Sequence, residues 1–532
     1  MNTSEILIRD LSFPIETTEK EILHEAEKKL RKVFSSDEIG SLSLFRRSVD
    51  CRPGRKLSFV VSVRALVPSS SVTEGKLLRC GAALLPSAEV VPEIGKEKMK
   101  ARPVVVGFGP AGMFASLLLA ENGYRPIVLE RGGDVSERQK KVARFYSERV
   151  LDENTNIQFG AGGAGTFSDG KLVTRVNDVR TRYILRRFTE FGAPKEILTE
   201  AKPHIGTDKL LGVVSSIASR VESLGGEFHW HTRFESFDGK TVRTDSGEIE
   251  AGALILAVGN SACDTAEKLI RAGLKTEAKP ISVGFRIEHR QSEIESFLYG
   301  KYAGDPRLPR ASYSLSRRVG DRTVYSFCMC PGGEVVAATG KEGRVVTNGM
   351  SRFARDGENA NAAILATLLP DEFQNDVFRM ISFRDECERK AFLAGGSDYS
   401  APVTTVGTFL DPETPFRIGS VRPSYLGGNA WKEADLSSLL PAALISSLRE
   451  GLSAFGRIMS PFSEKDAILT GSETRTSSPW RFLRDEETRL SLNSPLVYPC
   501  GEGAGYAGGI TSSALDGVAT ALAVMKKAAP YE

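Results

Sequence analysis

The sequence predicts an α/β protein of several domains: a parallel-sheet domain built from two separated stretches, a mostly antiparallel β unit inserted between them, and a small α+β domain in front. Three observations predict it. Residues 103–131, PVVVGFGPAGMFASLLLAENGYRPIVLER, read as apolar strand, glycine turn, apolar helix and second strand. From Ile281 the composition turns to strands, in ISVGFRIEH, ASYSLSRRV, TVYSFCMCPGG and EVVAATG. Near the C-terminus another apolar strand, 496–499, runs into glycines and a long apolar helix, CGEGAGYAGGITSSALDGVATALAVMKK. The boundaries expected from these shifts are 1–98, 99–280, 281–465 and 466–532.

A chain of 532 residues, 41% of them hydrophobic, is long enough for more than one domain and a large core. A net charge of +3 argues against a nucleic-acid partner. No apolar run reaches the length of a membrane span, and MNTSEILIRDLSF lacks the apolar heart of a signal peptide. The expectation is therefore no membrane and a cytoplasmic location. Seven scattered cysteines, an odd number, suit a reducing compartment better than a disulfide framework.

Taken in order, residues 5–9 read as a strand and 18–34 as a helix capped by Thr17 or Thr18, with Ile22, Ala26 and Leu30 on its apolar face. Strands at 42–45 and 57–63 complete a β-α-β-β order. The basic stretch between them, RRSVDCRPGRK, can bind an anionic substrate or cofactor but is expected first to be a solvated connection, and 69–73 and GKEKMKAR to be connecting segments.

The stretch 103–131 carries the first chemistry. Gly107, Gly109 and Gly112 form G-x-G-x-x-G between a strand and a helix. Gly107 permits the tight turn, Gly109 lets the backbone approach a pyrophosphate, and Gly112 lets the helix pack on the strand. The helix N-terminus, opened by Pro110 and Ala111, offers free N–H groups and the positive end of its dipole. Glu130, about 20 residues on, can accept hydrogen bonds from ribose hydroxyls, with Arg131 beside it. The motif predicts dinucleotide binding but does not separate FAD from NAD.

Next comes NIQFGAGGAGTFSDGKL, too rich in glycine for core and carrying two phenylalanines that a free surface loop seldom has. Its Gly162, Gly163, Gly165, Thr166, Ser168, Asp169, Gly170 and Lys171 are expected at the cofactor. Helices at 180–191 and 210–224 follow, then strands at 227–232, 233–237 and 241–244. His229 and His231 have no third donor nearby and read as structural, so no metal is expected. A buried strand at 253–258 ends in Gly259. In the inserted unit Arg286, Glu288, His289 and Tyr313 are the polar candidates. Cys328 and Cys330, two apart on a strand, share a face. They can be redox-active, but read first as small buried side chains. Residues 359–368 read as a helix, 370–465 as helical and loop-rich, and Asp435 as a helix cap.

The first strand-turn-helix unit, the three-strand excursion and the closing Ala257-Val258-Gly259 resemble the glutathione-reductase type of FAD fold, with Val where Thr is common. The whole chain resembles one bacterial family, the uncharacterised FAD-dependent dehydrogenases labelled NAD(FAD)-utilising dehydrogenases. The strings that carry the resemblance are GFGPAGMFAS, ERGGDVSERQ, GAGGAGTFSDGKL, KPISVGFRIEH, YSFCMCPGG, NGMSRFARD, ETRTSSPWR and PCGEGAGYAGGITSSALDG, within residues 46–517. The resemblance implies a discontinuous Rossmann-like FAD domain and an oxidoreductase. It places Gly501 and Glu502 where an acid binds the ribityl chain. Gly508, Gly509 and Ile510 fall where backbone N–H groups meet the flavin N1/C2=O edge. It supplies no substrate.

The resulting expectation is an FAD-dependent oxidoreductase, with redox chemistry at flavin N5 and a small-molecule substrate. With no second G-x-G-x-x-G, NAD(P)H would dock transiently. Lys171, Arg475 and Arg481 are the candidates for a positive mouth between AGGAGTFSDGKL and ETRTSSPWR that takes an anionic substrate or the phosphates of a nicotinamide cofactor. The competing expectation pairs these cations with Glu473 and Asp169. Two other readings stay open: a flavoprotein that binds or modifies RNA, and a binding module in which FAD is structural.

Overall fold

The computed structural model describes residues 2–531. The N-terminal domain begins with β1 (Thr3–Pro14) and α1 (Glu19–Leu30). Thr18 starts the helix through a reciprocal cap: its hydroxyl accepts the Glu21 N–H at 3.4 Å, and the Glu21 carboxylate accepts the Thr18 N–H at 2.8 Å. Then come β2 (Leu42–Asp50), β3 (Ser58–Pro68), α2 (Glu74–Cys80) and β4 (Ala82–Leu84). The sheet runs β2-β3-β1-β4, antiparallel throughout, which is the split β-α-β arrangement of ferredoxin-like domains. Along β3, Phe59, Val61, Val63, Ala65 and Val67 alternate inward onto Ile22, Ala26 and Leu30. One expectation is corrected: Arg46–Asp50 belong to β2, not to a connection. After the connection at 69–73 the chain adds α2 and β4, for which the sequence carries no expectation. One seven-residue helix with a three-residue strand is too short to show a period.

The middle of the chain builds most of a parallel sheet. β5 (Pro103–Val106) is buried along its length, as a strand covered on both faces must be. α3 (Pro110–Glu121) is buried from Ala111 to Ala120. β6 (Ile127–Leu129), α4 (Val135–Glu148, capped by the Asp134 carboxylate), α5 (Thr181–Glu190), α6 (Thr207–Ser223) and β7 (Glu227–His229) follow. A small antiparallel excursion, β8 (Phe234–Phe237), β9 (Thr241–Thr244) and β10 (Gly247–Glu250), precedes β11 (Ala253–Leu256), α7 (Cys263–Arg271) and β12 (Thr276–Ala278).

The inserted unit contains β13 (Ile281–Arg290), α8 (Gln291–Tyr299), β14 (Ser316–Val319), β15 (Arg322–Cys330), β16 (Glu334–Ala337), β17 (Thr347–Met350) and β18 (Asn359–Leu368). It continues with α9 (Val377–Ala394), β19 (Ala401–Thr405), α10 (Val406–Leu410), β20 (Trp431–Glu433), α11 (Ala442–Ile458) and β21 (Ile468–Glu473). Its main sheet runs β14-β15-β18-β13-β21-β19-β20, antiparallel except for β19 with β20. The expected helix at 359–368 is the strand β18. NANAAILATL has the composition of a helix, but it lies between β13 and β15, and tertiary pairing overrides propensity. Asp435 caps only a short 3-10 turn through Ser437, and α11 starts later, after Pro441.

The chain returns through β22 (Trp480–Phe482), paired with β12, then β23 (Val497–Pro499) and α12 (Ile510–Lys527). The parallel sheet is β23-β11-β5-β6-β7, so residues on both sides of the insertion share it. β21 pairs with β13, so the inserted sheet runs past the boundary expected at 465 and ends at Glu473. α12 packs tightly on α3: a Cβ on Gly517 would sit 2.2 Å from the Ala111 carbonyl oxygen. Among the described residues no helix is long and apolar enough to cross a membrane.

Candidate functional site

A cavity of about 370 Å³ opens at the C-terminal ends of β5, β6 and β11 and reaches the inserted sheet. Ligands of open parallel sheets bind at this edge. Gly107, at φ +94°, makes the turn out of β5, and a Cβ there would lie 2.5 Å from the Ala257 carbonyl oxygen. A Cβ on Gly112 would lie 1.9 Å from the Gly107 carbonyl oxygen, so this glycine serves the helix-strand contact and faces away from the cavity. Gly109 differs. Its nearest neighbour would be Gly163 Cα at 3.8 Å, leaving bare backbone toward the cavity. Gly109 and Gly509 are the N-caps of α3 and α12, and neither supplies a capping side chain. Two sets of free helix N–H groups therefore point into one space, where an anion or an electron-rich edge can take them. Pro110, Ala111, Gly508 and Ile510 complete these two turns on the cavity wall.

Glu130 lines the cavity, and its carboxylate is already engaged. It accepts N–H bonds from Phe108 at 2.9 Å, Gly132 at 3.0 Å and Gly160 at 3.1 Å. It fixes the turn and the glycine-rich loop from within. Arg131 donates to Asp264 at 2.9 Å and to Thr265 at 3.0 Å, and lies over the Phe159 ring at 4.3 Å. Gly163, Gly165, Ser168, Asp169, Lys171, Gly259, Glu502 and Arg475 also face the cavity. The Ser168 hydroxyl donates to Gly165 O at 2.7 Å, an internal loop bond. Glu502 accepts from Asn260 Nδ2 at 2.8 Å. Burial pushes its carboxyl up to about 7, against the opposing pull of Lys279 and the Asn260 bond.

Five expected contacts stand behind the wall. Gly112 serves the helix-strand contact described above. Gly162 packs on Thr166, where a Cβ would meet Oγ1 at 2.1 Å, and on Gly170 a Cβ would meet the Gly206 amide nitrogen at 3.0 Å. The Thr166 carbonyl accepts the Thr207 hydroxyl at 2.8 Å. The Gly501 N–H donates to Asp516 at 2.7 Å. These residues shape the loops that line the cavity without lining it themselves.

The positive mouth is also corrected, because each of its cations has a carboxylate. Lys171 Nζ is 2.9 Å from Asp169, which also takes Arg355 Nε at 3.0 Å. Burial would raise the Asp169 carboxyl, but Lys171 and Arg355 hold it below the usual range. Arg475 forms a buried two-point pair with Glu388, at 2.9 and 2.7 Å. Arg481 lies off the cavity, paired with Glu277 at 2.9 Å near the surface. Asp169 acts as the competing expectation foresaw. Glu473 instead takes Arg286, at 3.0 and 2.9 Å, and Glu388 was not foreseen.

Arg138, Arg355, Glu388 and Asn260 escaped the sequence reading, and Arg286, a polar candidate there, turns out to pair with Glu473. Arg138 is fully buried and donates to the carbonyls of Asn156, Ile157, Gly160 and Ala161 at 2.8, 2.8, 3.3 and 2.6 Å. It thereby sets the shape of the glycine-rich loop. In sequence it is one charge among many on a charged helix, so no pattern marks it. Glu288 and His289 are buried in the inserted unit, off the cavity. His229 and His231 pair with Glu227 and Glu137, at 2.6 and 2.7 Å, and among the described residues no cluster suits a metal. Arg46 and Arg47, expected to be solvated, border a second cavity of about 650 Å³ between the N-terminal sheet and the inserted unit.

Residues 280–476, the span of the inserted sheet, match the family described as FAD-dependent protein, C-terminal domain-like. An uncharacterised protein of Clostridium beijerinckii is 42% identical over 516 residues, covering 95% of this chain and 96% of its own. This chain belongs to that protein's family. Its cofactor is FAD, and the bare glycine turns and paired helix N-termini fit a dinucleotide. Among solved structures, CtdE in complex with FAD is similar at 13% identity and TM-score 0.32, covering 80% of this chain and 84% of its own. Glycine oxidase from Geobacillus kaustophilus is similar at 12% and 0.35, covering 81% and 95%. Likenesses this distant carry nothing about the reaction of this family.

Proposed function

We propose that this protein is an FAD-dependent oxidoreductase acting on a small molecule. In this reading a Rossmann-like FAD domain of the glutathione-reductase type is interrupted by the inserted unit, which forms the substrate side. The observation that carries it is the shared cavity. Two uncapped helix N-termini, bare glycine backbone and the edge of the inserted sheet all face one space.

The N–H groups at the start of α3, with Gly109 beside them, would hold the pyrophosphate. Glu130 and Arg131 would lie on the adenosine side. Glu502, steadied by Asn260, would face the ribityl chain. The amides of Gly508, Gly509 and Ile510 would meet the N1/C2=O edge, where the dipole of α12 favours negative charge. Bound FAD supplies a two-electron acceptor and donor at N5. Lys171 is held by Asp169, and Asn348 offers the substrate a hydrogen bond at the cavity mouth from the inserted side. A nicotinamide donor docks in the same mouth transiently.

The test is anaerobic mixing of the purified flavoprotein with NADH, NADPH and a panel of small carboxylates and phosphates. The expected result is FAD that is released on denaturation and bleached by at least one of these. Flavin that none of them reduces, together with RNA retained in a salt-sensitive way, would sink this reading in favour of an RNA-directed one.

A further inference from the structure

The inserted sheet brings Cys328 to the cavity wall and buries Cys330 behind it. β15 slips register against β18 between Phe327 and Cys330, with Phe327 opposite Ala363 and Cys330 opposite Asn361. One extra residue is thus accommodated on β15, a β-bulge. Cys328 takes φ +46° within it, a conformation uncommon for a residue with a side chain. The bulge sets Cys328 on the cavity wall with Lys171 and Glu473.

Lys171 Nζ is 3.3 Å from Cys330 Sγ and 3.9 Å from Cys328 Sγ, so one ammonium reaches both sulfurs. On the opposite side the buried Arg286 guanidinium lies 3.5 Å from Cys330 Sγ and donates to the Cys328 carbonyl at 2.8 Å. The cations here are Lys171, Arg286 and Arg355. The carboxylates are Asp169 and Glu473. Lys171 and Arg286 are the two cations within reach of sulfur, and together they can hold a thiolate. Buried thiols elsewhere in the chain behave otherwise: burial pushes Cys387 and Cys500 up to about 12. The Cys330 hydrogen bond, then Lys171 and Arg286, hold Cys328 well below its usual range, while burial pushes Cys330 up. The Cys330 thiol donates to the Cys328 carbonyl oxygen at 3.3 Å.

We propose that Cys328 and Cys330 are a redox-active dithiol that exchanges an electron pair with the FAD of the same cavity. This rests on the flavin placement proposed above. In the forward step the Cys328 thiolate and the Cys330 thiol join in one S–S bond. Their two electrons and the Cys330 proton pass to oxidised FAD, giving the reduced flavin anion. The reverse step breaks the disulfide at the expense of reduced flavin. Lys171 offsets the negative charge wherever it resides, on sulfur or on flavin.

The experiment is an anaerobic reductive titration of the FAD holoprotein with dithionite, alongside Cys328→Ser and Cys330→Ser. Flavin content is measured separately for each protein. Wild type is expected to take up four electrons per FAD, two for the flavin and two for the disulfide, and each variant two. Half-reduced wild type should show a long-wavelength thiolate-to-flavin absorbance that Cys328→Ser lacks. In oxidised protein alkylated under denaturing conditions, the peptide holding both cysteines should stay unalkylated and two hydrogens lighter by mass. If either variant fails to fold, alkylation and electron counting on wild type alone decide. Full flavin content with two electrons per FAD and both cysteines alkylated overturns the dithiol alone. A protein that holds no FAD overturns the flavin placement and the dithiol together.

Discussion

Arg138 illustrates how much of this site depends on side chains that never touch the ligand. Its guanidinium answers four main-chain carbonyls that glycine-rich sequence leaves without partners of their own. A charged hydrogen bond contributes about 1.5–3 kcal/mol. Arg138→Met, which keeps the volume, should therefore lower stability by several kcal/mol and release FAD on gel filtration. Arg138→Lys should fall between the two, because an ammonium offers its donors from one point. Wild-type flavin retention by Arg138→Met would mean that the loop orders itself. Glu502 permits a pH test. Its folded carboxyl lies near 7 and the ordinary value is 4.5, so folded protein holds the proton more tightly. Its contribution is full below the unfolded value and is lost as pH rises through the folded one. The urea midpoint of the apoprotein should thus fall between about pH 5 and pH 8, and Glu502→Gln should flatten that fall. Glu473, also pushed up to about 7 by burial against Arg286, adds a slope of the same sign, so a residual fall in the single variant is expected. A rising midpoint in wild type would contradict the assignment.

At the scale of elements, the turn between β5 and α3 separates folding from binding. Gly109 has φ −77° and open space where a Cβ would go, whereas Gly112 has a carbonyl oxygen 1.9 Å away. Gly109→Val should keep the circular dichroism and melting behaviour of the apoprotein and lose flavin. Gly112→Val should lose the fold. Equal flavin content in Gly109→Val and wild type would remove the pyrophosphate from this turn. The same turn shows what sequence can convey. G-x-G-x-x-G between two apolar runs is local, and each glycine has its own steric reason within about 30 residues. β18 shows the opposite. Asn359 to Leu368 becomes a strand only because β13 and β15, remote in sequence, offer it two edges. The glycine-rich loop was legible as a site because it could not be core. Its supports were not, since Arg138, Glu130 and Arg355 meet it only in three dimensions. The three-cation mouth failed for the same reason: sequence shows charges, and pairing decides which remain free.

Across the whole molecule, the return from the inserted sheet to the parallel sheet is tied by Arg475. It follows β21 directly and grips Glu388 of α9, and neither side chain is open to solvent, at 7% and 0% exposure. The Thr474 hydroxyl donates to the same carboxylate at 2.7 Å. A buried pair of this kind gives little net stability relative to apolar residues of similar size, but removing one partner strands the other, at about 3–5 kcal/mol. Arg475→Glu would bury two carboxylates against each other and should unfold the protein or cost at least that amount. Arg475→Met leaves Glu388 with only the Thr474 hydroxyl bonded to it and should cost about 3–5 kcal/mol. The double variant Arg475→Met/Glu388→Met should recover most of the loss, and with it the flavin, because the domain junction is then apolar instead of half-charged. Stability by urea unfolding and flavin per chain, measured on all four members of this cycle, separate the two roles. Recovery of stability without flavin would make Arg475 a ligand of the cofactor or substrate. Recovery of both would make it the fastener between the two sheets, which is what its burial and its pairing with Glu388 predict.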